Sequence, residues 1–224
     1  MSQEVLSSQS SVEANPMARA AVYLLFARLV RGAPSVELLR EIVQRRLLTL
    51  AEQWGEGSGS LDPAENPRWP QQTEAIAVEY ARLFAVPGEQ AVHPYESAYC
   101  DTLSIDTSTA CSAYFGDQRP IVGLPGFIGG SSASAVARAY AEAGLELDPA
   151  AHELPDHISI ELEFMGRLLE RGDRDGAKTF FQGHLSRWAF RCLEDVKRNV
   201  TVGFYRLAAD TLTTFLQYEQ QFLK

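Results

Sequence analysis

The residue types best suited to chemistry meet in the segment ELPDHISIELEFM, at positions 153–165. Asp156 and His157 follow Pro155 where a helix is predicted to begin, and a carboxylate there can accept hydrogen bonds from the free N–H groups of the first turn. The pair therefore predicts a helix cap. It also fits an exposed recognition point, in which Asp156 pairs with a guanidinium and His157 titrates near neutral pH. The two interpretations are compatible.

Two glutamates continue the same helix. Glu161 lies four residues after His157 and can extend an acidic face beside it. Glu163 points elsewhere, because residues two apart do not share a helix face. A solvated helix surface is the ordinary explanation of either glutamate.

Aromatic side chains flank the segment HPYESAYCD, at positions 93–101; they are Tyr80, Phe84, Tyr95 and Tyr99. Aromatic residues at such spacing more often belong to a core than to a binding surface. A groove lined by them, with acidic groups at its edge, would nevertheless suit a peptide that carries two arginines beside an apolar run.

Signatures of catalysis are mostly absent. The sequence has no phosphate-binding G-x-x-x-x-G-K-[ST], no G-x-G-x-x-G, no H-E-x-x-H and no G-x-S-x-G. The four histidines, at 93, 152, 157 and 184, show no ligand spacing, so neither a metal nor a cofactor is predicted. A weak nucleotide hydrolase, with Asp156 and His157 as an acid–base pair beside a glycine-rich loop, stays an alternative, as does a helical assembly scaffold.

Charge and composition limit the partners. The chain of 224 residues has a formal charge of −9, which argues against nucleic acid or anionic lipid as the main partner and suits a basic peptide better. The sequence shows no signal peptide and no apolar run of membrane-spanning length, which predicts a cytoplasmic protein without membrane insertion. Cys100, Cys111 and Cys192 form no C-x-x-C pair, as is typical of a reducing compartment.

Apolar residues recur at helical spacing along most of the chain, and no segment alternates at strand spacing, so an all-α bundle without a sheet is predicted. Three helices are predicted to start after Asn15, at Ser35 and near Gln72, and a short one lies within 93–101. A fifth ends at Gly144, and a sixth spans Asp156–Arg171. Two further helices are predicted near the C-terminus. Residues 116–134, rich in glycine, are predicted to be a mobile hinge between an N-terminal half, 15–115, and a C-terminal half, 135–224, of one domain. Such a hinge allows a monomer or a domain-swapped dimer.

Several segments, taken together, resemble the TorD/DmsD/NarJ group of redox-enzyme maturation chaperones. These are YARLF, HPYESAY, PDHISIELEFM, FFQGHLSRWAF and FYRLAADTLTTFLQYE, in the family's order from about Ala18 to Phe222. The chain departs from the family's pattern between Thr102 and Ser134, which is longer and richer in Ser, Thr and Gly.

The resemblance implies an all-helical protein without catalytic turnover. Its partner would be the twin-arginine leader or the apo form of a molybdopterin oxidoreductase catalytic subunit, which it would assist through cofactor insertion and proofreading before export. The family's Asp-His pair carries over to Asp156 and His157. Its pocket and loop residues carry over to Tyr80, Phe84, Pro94, Ser97 and Tyr99, and Glu96 matches a common family residue.

Overall fold

The computed structural model describes residues 15–45, 68–105, 121–125, 128–147 and 153–224. Over these ranges the chain is a bundle of α-helices, which confirms the predicted all-α class. The helices are α1 Pro16–Arg31, α2 Val36–Arg45, α3 Trp69–Tyr80, α4 Glu96–Cys100, α5 Ser131–Glu142, α6 Ile158–Glu170, α7 Arg174–Phe180, α8 Ser186–Asn199 and α9 Gly203–Phe222. The predicted linker GEGSGS, Cys111 and His152 lie outside the described residues.

Helix starts follow the capping residues that the sequence shows. Asn15 accepts a hydrogen bond of 3.0 Å from the Met17 N–H, and Pro16 occupies the first helical position of α1. Ser35 Oγ accepts from the Leu38 N–H at 3.2 Å and caps α2. Helix α3 begins at Trp69, three residues before the predicted start.

A small β-hairpin corrects the prediction that the chain has no sheet. Strand β1, Thr102–Ile105, pairs antiparallel with β2, Ile121–Pro125, and the register is irregular between Leu103 and Ile105. Strands of four and five residues hold too few repeats for their alternation to be recognised. Since β2 and the start of α5 fall within residues 116–134, that segment is not irregular throughout; its role as a hinge stays a prediction.

Both halves of the sequence contribute to one core. Helix α1 packs along α6, and the approach is close at Gly166, where a Cβ atom would lie 2.8 Å from Leu24 Cγ. The α1 helix is also joined to α9, because Arg19 Nε donates to Glu219 Oε1 at 2.6 Å and Tyr23 Oη donates to Glu219 Oε2 at 3.1 Å. The first and last helices are therefore fixed to each other by a buried ion pair.

Two short π-helices interrupt the regular helical geometry. Ala81–Ala85 continues α3, and Phe181–Leu185 connects α7 to α8. Such turns occur often at functional sites, because they shift the side chains that follow around the helix axis. In the described ranges, no helix has the length and apolar character that crossing a bilayer requires.

Candidate functional site

The start of α6 is capped by His157 and not by Asp156, which corrects the predicted cap. His157 Nδ1 accepts from the Ser159 N–H at 3.1 Å and lies 2.7 Å from Ser159 Oγ. The ring is 3% exposed, and burial, followed by the charge of Arg31, lowers the pKa of His157 to about 4. The expectation that His157 titrates near neutral pH is therefore wrong.

Asp156 caps a different helix. Its Oδ2 accepts from the Ser97 N–H of α4 at 2.9 Å, and its backbone carbonyl accepts from the Glu96 N–H at 2.9 Å. The Asp156 side chain is fully buried, so the expected exposed recognition point is contradicted. Its carboxylate serves the free N–H groups at the start of α4, which is the favourable position for a negative charge.

The loop before α4 is attached to α6 along its backbone. The Ile158 N–H donates to the Pro94 carbonyl at 2.8 Å, which completes a short antiparallel bridge between Tyr95 and His157. Ser97 Oγ accepts from the Gly129 N–H at 3.0 Å, so this hydroxyl joins α4 to the segment just before α5. The bridge to His157 and the hydrogen bond between Ser97 and Gly129 therefore fix the segment that carries Tyr95.

Three carboxyl groups lie buried together behind this bridge: Glu96, Asp156 and Glu161. Glu96 Oε2 is joined to His184 Nδ1 by a hydrogen bond of 2.9 Å, and Glu161 Oε2 accepts from Trp188 Nε1 at 3.1 Å. Each of the three groups also has one oxygen without a hydrogen-bond donor among the described residues. We call these three residues the buried carboxyl cluster.

The environment of the buried carboxyl cluster shifts the pKa of Glu161. Burial raises the pKa of Glu161 well above its usual range, and the neighbouring Glu96 and Asp156 raise it further. A protonated Glu161 can share its proton with Glu96, which supplies a donor to oxygens that otherwise lack one. The expectation of a solvated glutamate here is wrong, because this side of α6 faces α4 and α8.

Three of the predicted aromatic residues share one half-buried surface. The Tyr80 and Phe84 rings are 5.3 Å apart, and both contact Tyr205. Tyr95 Oη donates to Glu153 at 3.0 Å, and the charge of Glu153 raises the pKa of both Tyr80 and Tyr95 beyond what burial does. We call Tyr80, Phe84, Tyr95 and Glu153 the tyrosine surface. Three of the four predicted aromatic residues thus lie near one carboxylate, and peptide binding by them stays a prediction.

Tyr99 belongs to another part of the molecule. Its ring lies 5.6 Å from Trp188, and its hydroxyl donates to Asp195 at 2.8 Å. It thus packs beside the buried carboxyl cluster rather than on the tyrosine surface. Sequence reasoning placed all four aromatics in one groove, whereas the structure separates the last of them.

Glu153, His184 and Trp188 were not singled out as site residues from the sequence. His184 and Trp188 are four apart, and both point towards the cluster from the π-helix and the first turn of α8. That spacing, beside the buried acidic motif, is the signal that could have identified them. Glu153 had no such signal, because its partner Tyr95 is 58 residues away.

The geometry disfavours acid–base catalysis on a bound substrate. Asp156 is inaccessible, and His157 uses Nδ1 as a helix cap with a pKa far below neutrality. Among the described residues, no group of three or more His, Cys, Asp and Glu side chains has the geometry of a metal site. The arrangement is suited to holding Tyr95 and Glu153 at the surface.

Comparison with known proteins identifies related chains. The family model described as the nitrate reductase delta subunit matches residues 37–194. The chaperone protein TorD of Vibrio parahaemolyticus is 22% identical over 159 residues, which are 66% of this chain and 64% of that protein. This chain thus spans just under two thirds of the length of that relative.

Among solved structures, the chain is similar to one described as a candidate redox enzyme maturation protein from Archaeoglobus fulgidus. The TM-score is 0.46 and the sequence identity is 18%, with 90% of this chain and 93% of the other covered.

Proposed function

This chain belongs to the family of the nitrate reductase delta subunit, within the TorD/DmsD/NarJ group of redox-enzyme maturation chaperones, and on that premise we propose that it is a chaperone for a molybdenum oxidoreductase. The observation that carries the proposal is the family match over residues 37–194. The clients are the twin-arginine leader and the apo form of the catalytic subunit, before cofactor insertion and export. The chaperone acts in the cytoplasm and needs no catalysis of its own.

The tyrosine surface is the proposed contact for the leader. Tyr80, Phe84 and Tyr95 offer partly exposed rings for an apolar side chain, and Glu153 offers a carboxylate for a guanidinium. The formal charge of −9 favours a basic segment as the partner.

The buried residues support this contact indirectly. Asp156 and Pro94 fix the loop that carries Tyr95, while Glu96 and Glu161 tie that loop to α6 and α8. In this proposal Asp156, His157, Glu96, Ser97, Glu161 and Tyr99 are positioning residues. A direct bond between Asp156 and a leader arginine would require α4 to move away.

Calorimetry with a synthetic leader of the client precursor tests the proposal. We expect the full chain to bind the leader, and we expect Glu153→Gln to weaken binding by about 1.5–3 kcal/mol, because the amide keeps the shape but loses the charge. Asp156→Asn should weaken binding less, since it acts through Tyr95. Exposed Glu74 on α3 offers a matched control, Glu74→Gln, which should leave affinity unchanged.

Two outcomes would contradict the proposal at different levels. A chain that binds neither leader nor apoprotein is not the proposed chaperone. A chain that binds the leader equally well with Glu153→Gln is a chaperone whose contact lies elsewhere. Sedimentation of the free chain and of the complex would show whether the monomer or the domain-swapped dimer is the active form.

A further inference from the structure

A second concave surface lies on the other side of the α6 start. It is a groove of about 400 Å³ between the ends of α1 and α5 and the first three turns of α6. Its apolar lining consists of Tyr140, Leu145, Leu147, Ile160 and Phe164. Its charged lining consists of Arg31, Glu146, Glu163 and Arg167. A volume of this size is within the range of ligand sites in proteins.

The floor of the groove is formed by two buried aromatic side chains. Tyr140 and Phe164 are almost fully buried, with ring centroids 4.5 Å apart, and Tyr140 Oη donates to the Pro155 carbonyl at 2.9 Å. Pro155 directly precedes the Asp-His pair. The hydrogen bond from Tyr140 thus connects the floor of the groove to the segment that leads into α6.

At the rim, Glu163 already binds guanidinium groups. Its Oε2 accepts from Arg31 at 2.5 Å, and its Oε1 accepts from Arg167 at 3.3 Å. Despite partial burial, these two arginines hold the pKa of Glu163 below its usual value, so the carboxylate is charged at neutral pH. The side chains of Arg31 and Arg167 are 46% and 48% exposed, and ion pairs this exposed exchange partners at small cost.

The ion pairs of the groove favour a cation. Arg31 and Arg167 are the positive residues of its lining, and Glu146 and Glu163 are the negative ones, so the charges of the lining balance. Both arginines are already paired, because Glu163 binds both and Glu170, outside the lining, binds Arg167 at 3.1 Å. An anionic ligand would have to separate both arginines from their carboxylates, whereas a guanidinium can replace one of them.

We propose that this groove binds an arginine and an adjacent apolar side chain of the client peptide, and that Arg31 occupies the place of that arginine until the client arrives. The incoming guanidinium displaces Arg31 from Glu163, and the apolar neighbour packs against the half-buried Leu145 and Leu147, above the floor formed by Tyr140 and Phe164. The inference rests on the proposed function, because it assumes a basic, apolar peptide client. It adds a contact that is separate from the tyrosine surface, and it makes Arg31 a competitor of the client.

Fluorescence anisotropy with a labelled twin-arginine leader tests the inference on the full chain. Glu163→Gln should weaken binding by about tenfold, because it removes the charge that the peptide arginine uses. Arg31→Ala should tighten binding by about threefold, because the internal competitor is gone. The exposed pair Arg138 and Glu142 on α5 lines a different part of the surface, so Arg138→Ala and Glu142→Gln should leave affinity unchanged.

The opposite signs of the two substitutions make the result decisive, provided that thermal melts show each variant to be folded. Weaker binding by Arg31→Ala would overturn the inference and indicate an anionic ligand group at the arginine. If the wild-type chain binds the leader and neither variant changes the affinity, the groove is not a leader contact, while the proposed chaperone function stands. A wild-type chain that binds no leader would instead be a failure of the proposed function.

Discussion

Two buried glutamates, Glu79 and Glu161, occupy opposite electrostatic environments. Glu79 accepts from the Thr201 and Val202 N–H groups, from the Thr201 hydroxyl and from Arg82, so both of its oxygens have donors. Burial alone would raise the pKa of Glu79, but these hydrogen bonds outweigh it and lower the pKa to about 2. Glu161 has one donor, Trp188, and two carboxyl neighbours, and its pKa is raised.

The difference shows which region serves stability. Glu79 satisfies the free N–H groups just before α9 and therefore stabilises the junction of α3 with the last helix. The carboxyl cluster around Glu161 keeps a proton in the folded state that an unfolded glutamate releases at neutral pH, and its oxygens have few donors among the described residues, which costs stability. A region that retains such a cost is a candidate for function, and it lies directly behind the proposed leader contact.

Replacement of Glu79 should give the largest effect on stability. Glu79→Gln should lower the free energy of unfolding by about 3 kcal/mol at pH 7, which is the value of a pKa shift from 4.5 to about 2. Because the folded-state pKa is depressed, this stability is present above the unfolded pKa of 4.5. It is lost as the pH falls towards 2.

Urea unfolding of both proteins at several pH values between 2 and 7 measures this difference. The exposed Glu74 on the same helix provides the control, and Glu74→Gln should change stability by less than about 0.5 kcal/mol. A difference between wild type and Glu79→Gln that did not shrink at acidic pH would contradict the assignment.

Replacement of Glu161 should act in the opposite direction. Glu161→Gln should stabilise the protein at pH 7, because the folded wild type keeps a proton that an unfolded glutamate releases. Since the folded-state pKa is raised, the wild type has its full stability below the unfolded pKa of 4.5 and loses it as the pH rises above that value.

The gain from Glu161→Gln should therefore grow from pH 4.5 upwards, whereas the loss from Glu79→Gln should grow between pH 2 and 4.5 and stay constant above that range. The same urea series measures both. If Glu161→Gln destabilised the protein at pH 7, the carboxyl would be ionised and paired in the folded state, and the comparison of the two regions would fail.

Sequence reasoning succeeded where the interaction is local. The start of α1 after Asn15, the end of α5 near Gly144 and the helical span of α6 depend on residues a few positions apart, and the structure confirms them. The role of Asp156 depends on Ser97, 59 positions away, and the burial of Glu161 depends on α4 and α8. Such tertiary partners leave no periodic pattern in the sequence. The sequence alone therefore predicts a cap of α6 for Asp156 and a solvated helix face for Glu161.

The smallest effect should come from Asp156, where the two kinds of environment meet. Asp156 caps α4 through Oδ2, as Glu79 serves the N–H groups before α9, yet its Oδ1 has no donor among the described residues and its charge raises the pKa of Glu161. In Asp156→Asn the amide oxygen still accepts from the Ser97 N–H, while the amide N–H₂ offers a donor to the buried carboxyl cluster. Loss of a charged acceptor and relief of repulsion should then nearly cancel, so we expect a change in stability within about 1 kcal/mol.

Asp173 is the matched control, since it caps its own helix α7 through the Gly176 N–H at 2.8 Å, and Asp173→Asn should be almost neutral. Urea unfolding at pH 7 measures both variants; a loss above about 2 kcal/mol in Asp156→Asn alone would make the cap of α4 dominant and place Asp156 with Glu79 among the residues that serve stability.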